Sequence, residues 1–391
     1  MNLSNKEHLS LLTDFHLKSR VVSDIYSYLS FSGSSQNNLI ENSIKEPAGK
    51  KIYSFANVPD YVKSEISDPT LWTERTYPSI RGYAINLAPY QSIEVFLKTH
   101  LSKRRKNIFR SIRRLEQSFD IKYQMYLGDI DEENYRFLMG RLKDMIIKRF
   151  EQKGHKSDSL APWDKVFSTS MELIKAGKAS IFVVYNQTEP IVISLNYNYG
   201  NVLFSYISSY DIDYAKFSPG QIELCKQLEW CINNGYEHFD MGWGDMEYKK
   251  WWSNKIYKLN HHIFYPKKSL KGFLYALAYG NKSRIMAVLI SKGVNTRFHN
   301  FKKKLKNEQK KYNHLPEYQL KDFDISSTVQ LEKIELDLEK LPITKQIIND
   351  FLFLSQEQDG NVEVYHNKNE DVYILKGKKV AKIILFNPAN N

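Results

Sequence analysis

The chain is poor in cysteine, with two in 391 residues, Cys225 and Cys231. Six positions apart on an expected helix, they lie about 240° from each other around the axis and face different sides. They cannot easily bridge, a thiolate metal site would need more ligands, and a reducing cytoplasm is the expected compartment. Long hydrophobic runs are missing too. The most apolar stretch, 270–290, is broken at its middle by Asn281-Lys282-Ser283-Arg284, whereas a bilayer span needs about 20 largely apolar residues. The first 30 residues mix charges with short apolar pairs, so no signal peptide is expected there. The spacing of a Walker loop or a dinucleotide fingerprint does not occur, and no internal repeat stands out.

Acidic residues are scarce in two segments only. Residues 101–118 hold seven bases and one acid, and residues 267–311 hold thirteen bases and one acid. Residues 1–100 are neutral, 119–266 stand at −2 and 312–391 at −4, within a total of +12. The uniform basic coat of a general nucleic-acid packaging protein is therefore absent. What is present is a globular composition, 42% hydrophobic and 14% aromatic, long enough for two or three domains with real cores.

Elements read clearly from residue 92 onward. Helices are expected over Ser92 to His100 and Ser102 to Ser118, the second capped by Ser102 and lined by Ile108, Ile112, Leu115 and Phe119. A strand over 120–127 precedes helices over 131–153 and 162–176. Strands over 179–185, 190–199 and 202–210 form an antiparallel meander through turns at 186–189 and 200–201. A helix over 221–234, a strand over 238–241, a helix over 246–253 and a strand over 256–265 follow. The order is β-α-α-β-β-β-α-β-α-β. Residues 1–90 read only as mixed α/β, with β-like runs at 51–55 and 81–87. Residues 330–391 carry a separate β-α-β-β-β pattern. The expected division is 1–100, 101–266, a basic helical segment 267–311 and a small module 312–391.

The unit with most chemical content runs from Ser208 to Gln221. A strand ends, a polar loop follows, and a helix begins on Ser218-Pro219-Gly220. Successive backbone N–H groups at such a start suit a phosphate or pyrophosphate, with Gly220 leaving room and Lys216 adding charge. The same residues also read as an ordinary N-cap and first turn. Further on, His238, Asp240, Asp245, Glu247 and Tyr248 offer titratable groups. Asp245 is equally placed to cap the helix 246–253, and Tyr248 equally able to serve as a core aromatic. Trp230, Trp243, Trp251 and Trp252 cluster in this part of the chain. Trp251 and Trp252 cannot share a helix face, so one is expected to pack and the other to line a pocket. His261 and His262 point to opposite faces of a strand and form no ligand pair.

The element order resembles a GNAT acyltransferase domain. The series Tyr210-Asp211, Tyr214, Lys216, Ser218-Pro219-Gly220, Gly235-Tyr236, Phe239-Asp240, Gly242, Gly244-Asp245, Tyr248-Lys249 and Trp252 is similar to the cellulose-biosynthesis-type acetyltransferase family. The basic stretches Lys103 to Ile108 and Arg113 to Glu116 look like that family's opening segment, and the resemblance covers about 90–265. It implies an α/β (α+β) fold, with a GNAT-like, mostly antiparallel sheet flanked by helices. It also implies a degenerate N-terminal half in 1–100, in tandem with the domain 101–266, and the small C-terminal module is β-rich. The implied donor is an acyl-CoA, acetyl-CoA first, with its pyrophosphate on Lys216, Ser218, Pro219, Gly220 and Gln221, and no metal is required. Tyr248 is the implied acid for the leaving thiolate. Asp240 and Asp245 are candidates for the base or for orienting the acceptor, and Tyr210, Asp211, Trp243 and Trp252 for contacting substrate. The acceptor is expected to carry an amine or hydroxyl, as in a bacterial cell-envelope sugar or polysaccharide precursor.

The two basic segments are not absorbed by that reading. Residues 101–118 suit a solvated face or an anion-binding one. Residues 267–311 suit a helix packed on the protein with lysines in water, or one lying on a membrane's inner face. An anionic acceptor or lipid-linked precursor would fit either segment. Two rivals remain: a Fem-type ligase that takes aminoacyl groups from tRNA to peptidoglycan precursors, and a non-catalytic scaffold for anionic partners. No long coiled-coil arm is inserted in the domain, which counts against the first.

Overall fold

A computed structural model of the chain describes residues 6–16, 22, 24–31, 51–152, 160–291, 318–324, 331–335, 338, 341–368 and 370–386. The N-terminal elements are β1 (Lys6–Ser10), α1 (Leu11–Asp14), β2 (Tyr26–Ser30), β3 (Ile52–Pro59), β4 (Lys63–Ile66) and β5 (Trp72–Asn86). Next come α2 (Ile93–His100), α3 (Ser102–Ser118), β6 (Ile121–Tyr126), α4 (Glu132–Gln152), α5 (Trp163–Lys175), β7 (Ala179–Asn186), β8 (Glu189–Tyr199) and β9 (Val202–Tyr210). A 3-10 turn, Ile212–Phe217, leads into α6 (Pro219–Asn233), β10 (His238–Trp243), α7 (Glu247–Trp252), β11 (Lys255–Pro266) and α8 (Leu270–Ser291). The C-terminal elements are β12 (Tyr318–Asp322), β13 (Glu332–Ile334), α9 (Lys345–Ser355), β14 (Glu363–Asn367), β15 (Val372–Lys376) and β16 (Ala381–Phe386).

Nine strands share one sheet, in the order β1-β3-β11-β5-β10-β9-β8-β7-β6. Its neighbours are antiparallel except β1 with β3 and β9 with β10. Side chains alternate across the sheet. Ile181 and Val183 of β7 enter one core with α4 and α5, and Phe182 and Val184 enter the other with α3 and α6. Because both faces are covered, β7 and β8 are buried almost end to end. This is the mixed, mostly antiparallel sheet flanked by helices that the element order predicts. A five-stranded antiparallel sheet, β12-β16-β15-β14-β13, forms the separate C-terminal module.

The N-terminal residues are built into the main sheet. β5 is 15 residues long and lies between β10 and β11. Strands from both sides of the expected division at 100/101 thus share one sheet. At α3, Ser102 does not cap: Leu101 holds the N-cap position, and no side chain bonds the first turn. Leu101 is buried instead, joining α2 and α3 to the same core.

The C-terminal module rests on the 3-10 turn before α6. Phe353 of α9 meets Phe217 edge-on at 5.2 Å, with the Arg114 guanidinium 4.4 Å from the Phe353 ring centre. Asn349 Nδ2 donates to the Asp213 carbonyl at 3.0 Å, and Lys345 pairs with Glu189 at 2.9 Å. Of the expected basic segment, α8 is described, and 292–311 lies outside the described residues.

Candidate active site

The parallel pair β9–β10 stays together for only three positions, from His238 opposite Val202 to Asp240 opposite Phe204. Beyond that, β10 shifts register against β5 and ends with Trp243 opposite Gly82. The backbone of β9 from Ser205 to Tyr210 is therefore not taken up by β10. A wedge opens between them, holding a cavity of about 840 Å³. Its walls are β9, the first turn of α6, the end of β10, the start of α7 and the inner side of α4.

Asp240 creates the turn that opens the wedge. Its carboxylate is fully buried and accepts from Tyr61 Oη (2.5 Å), from Tyr257 Oη (2.8 Å to each oxygen) and from the Gly242 N–H (2.6 Å). Burial raises its pKa, while those donors and the charge of Lys249 pull the other way. Gly242 has φ +67°, and a Cβ there would stand 3.1 Å from the Phe204 ring, so a side chain is disfavoured twice over. Lys249 closes the turn from the other side, donating to the carbonyls of Met241 (2.6 Å) and Trp243 (2.5 Å). Burial brings its pKa down to about 8, with Asp240 raising it.

The helix start lies at the other wall. Ser218 has φ +58° and is the N-cap of α6, its carbonyl accepting from the N–H groups of Gln221 (2.9 Å) and Ile222 (3.3 Å). Pro219 has no N–H, so the free first-turn donor of the backbone is that of Gly220. A Cβ on Gly220 would meet only Tyr210, at 3.9 Å. The Arg149 guanidinium of α4 lies 4.4 Å from the Tyr210 ring centre and brings positive charge to the same cavity.

Between these walls sits a carboxyl group. Glu223, one turn into α6, is buried and accepts from Ser208 Oγ (3.0 Å) and Gln227 Nε2 (3.1 Å). Asn196 Nδ2 donates to Gln227 Oε1 at 3.0 Å, and Ser194 Oγ donates to Asn196 Oδ1 at 3.1 Å. Burial lifts the Glu223 pKa to about 7 against the opposing pull of Ser208, Ser194, Arg149 and Gln227. Tyr248 lines the same cavity, and its hydroxyl has no hydrogen-bond partner among the described residues. Burial, then the charge of Glu223, pushes its pKa up to about 12.

The cavity thus gathers Tyr210, Ser218, Pro219, Gly220, Gln221, Trp243 and Tyr248 from the residues singled out in the sequence. Five others lie elsewhere. Lys216 turns toward Asp350 of α9, at 3.8 Å. Asp211 caps the 3-10 turn by accepting from the Asp213 N–H at 3.1 Å. Asp240 is enclosed beneath the turn. Asp245 does not cap α7, whose N-cap is Met246; it accepts from Tyr83 Oη (2.5 Å) and pairs with Lys250 (3.2 Å). Trp252 is fully buried beside Phe96 and donates to Gln221 Oε1 at 2.8 Å, while Trp251 lies under the Arg104 guanidinium. Sequence reasoning misses Glu223 and Arg149 and takes Ser208 only as the start of its unit, although Glu223 and Gln227 stand one helical turn apart as a polar pair among apolar residues.

Residues 102–250 match the family model described as an acetyltransferase (GNAT) domain, and over those residues the fold is of that type. No curated protein matches the chain. Among solved structures, the chain is similar to a conserved protein of unknown function from Bacteroides thetaiotaomicron, at 9% identity over 56% of this chain and 71% of that one, with a TM-score of 0.37. It is also similar to the C-terminal domain of a putative lysylphosphatidylglycerol synthetase from Agrobacterium fabrum, at 10% identity over 59% and 70%, with a TM-score of 0.38. A third likeness is to FemX, at 10% identity over 47% and 62%, with a TM-score of 0.35. Among the described residues, no group of three or more His, Cys, Asp or Glu side chains is placed to hold a metal ion.

Proposed function

We propose that the chain is an acyl-CoA-dependent acyltransferase, acetyl-CoA being the first donor to test, working on an amine or hydroxyl acceptor. The observation that carries this reading is the wedge itself: a free stretch of β9 leading to an open helix start, with an acid–base pair between. The 205–210 backbone would meet the amides of a pantetheine arm as a partner strand would. The Gly220 N–H and the dipole of α6 would face the pyrophosphate, with Arg149 rather than Lys216 supplying the nearby charge. A cavity of about 840 Å³ is of the size that holds such an arm.

The chemistry assigned to the side chains is a pair of proton transfers. The acceptor's nitrogen or oxygen forms a bond to the thioester carbon, and the C–S bond breaks. Glu223, with Ser208 beside it, takes the acceptor's proton, and Tyr248 gives one to the leaving thiolate. Environments that separate the two pKa values, about 7 and about 12, suit a base and an acid respectively. The sequence likeness to cellulose-biosynthesis-type acetyltransferases supports an envelope sugar or polysaccharide precursor as the acceptor.

Acetyl-CoA at about 100 times its Kd should stabilise the fold by about 2.7 kcal/mol, read as a rise in melting temperature. Gly220→Glu should abolish the rise, because its carboxylate would stand where the diphosphate goes. A chain that shows no shift with any acyl-CoA tried does not bind that donor. A second reading, transfer from aminoacyl-tRNA, is favoured by α3, where Lys103, Arg104, Lys106, Arg110 and Arg113 are all exposed. It requires tRNA binding that weakens steeply with salt.

A further inference from the structure

Helix α8 turns an apolar face outward. It lies on β5 and β11 through small residues, Gly272 against Tyr265 and Gly280 against Tyr77, with Ala276 fully buried between them. A Cβ would stand 2.5 Å from Tyr265 at the first glycine and 2.2 Å from Tyr77 at the second, so this close approach needs both. Tyr279 Oη bonds His261 Nδ1 at 2.7 Å, and Ser283 Oγ donates to the Pro78 carbonyl at 2.7 Å. These contacts fix the helix's rotation.

That rotation leaves Leu270, Leu274, Leu277 and Ile285 outward, 71%, 45%, 43% and 61% exposed. At 100° per residue the four fall within an arc of about 80°. A helix on the surface of a soluble domain normally turns its polar side to water; here the outer stripe is leucine and isoleucine, with one exposed amide, Asn281, among them. Lys267, Lys268, Lys271 and Lys282 are exposed beside it, and no acid occurs anywhere from 267 to 307. Phe273 borders the stripe, with the Arg75 guanidinium 5.3 Å from its ring centre. Among the described residues no helix is long and apolar enough to cross a membrane.

We propose that α8 docks the protein on an anionic lipid bilayer, its leucine stripe entering the headgroup boundary and its lysines facing the phosphates. An apolar strip rimmed only by bases is complementary to a surface that is apolar at depth and negative at its rim. A second copy would bring like charges together, which argues against self-association through this face. The docking face is on β5 and β11, and the wedge lies between β9 and β10. Its fate is therefore independent of the acyl-transfer reading.

The test is flotation of the full chain with phosphatidylcholine vesicles and with phosphatidylcholine–phosphatidylglycerol vesicles. Binding is expected only with phosphatidylglycerol present, falling with salt, and by on the order of fivefold for each lysine among 267, 268, 271 and 282 changed to glutamine. Leu274→Asp combined with Leu277→Asp should reduce it at least about tenfold while leaving the melting temperature unchanged, because both side chains face out. Absent binding to the anionic vesicles, or binding untouched by the double substitution, overturns the proposal. So does a fall in the variant's melting temperature, or a dimer that the substitutions disperse, because either would show the stripe already covered by protein.

Discussion

Asp240→Ala is expected to destabilise the fold by about 3–5 kcal/mol in urea denaturation, the range for breaking a buried, hydrogen-bonded charge cluster from one side. The reason is the number of groups it serves. Two tyrosine hydroxyls and the Gly242 N–H donate to it, and the buried Lys249 ammonium faces it across the turn. Alanine leaves each of these donors without its acceptor in a site that water does not reach freely. Lys249→Met alone should also destabilise, but adding it to Asp240→Ala should cost less than the sum, because the ammonium is then no longer an uncompensated charge. Strict additivity would separate the two residues. A loss below about 1 kcal/mol for Asp240→Ala would mean that the turn is held by something else.

Asp240 is a candidate base or acceptor-orienting group only through the motif resemblance, whereas in the structure its carboxylate is taken up inside the turn. Its actual partners include Tyr61, 179 positions away, and no local spacing announces them. Elements with a clear period are the legible part. The face Ile108, Ile112 and Leu115 of α3 and the unbroken apolar run of β7 place their residues where the structure has them. β5 is the contrast: its later half is apolar and visible, but Pro78 to Arg81 are exposed and carry no alternation, so a strand of 15 residues reads as a short run near 81–87. The wedge is not a property of any segment. It arises because a three-position parallel pairing joins two longer strands, which only the assembled sheet reveals. The paired tryptophans show an intermediate case, since spacing says that one packs and one does not. The structure buries Trp252 through its bond to Gln221.

Glu223 and Tyr248 carry the other large expectation, and it has two independent readouts. The Glu223 pKa stands at about 7 in the fold against an ordinary 4.5, so the folded chain holds this proton more tightly than the unfolded one. Its contribution to stability is then complete below pH 4.5 and is lost as pH climbs toward 7, a decline of about 3 kcal/mol from this group. Glu223→Gln should flatten that window. The catalytic readout runs in the opposite direction along the same axis: as a base, Glu223 works once deprotonated, so kcat should rise with pH through about 7. The Tyr248 hydroxyl, pushed up to about 12, stays protonated throughout and adds no falling limb in the range the fold survives. Each removal should cost about 10²–10⁴ in kcat, but with different signatures. Glu223→Gln lowers the rate and erases the rising limb, whereas Tyr248→Phe lowers the rate and keeps the limb. A Glu223→Gln chain that retains the limb would place the base elsewhere, leaving Glu223 as the buried end of the Ser194–Asn196–Gln227 chain. In that case the stability window would still flatten.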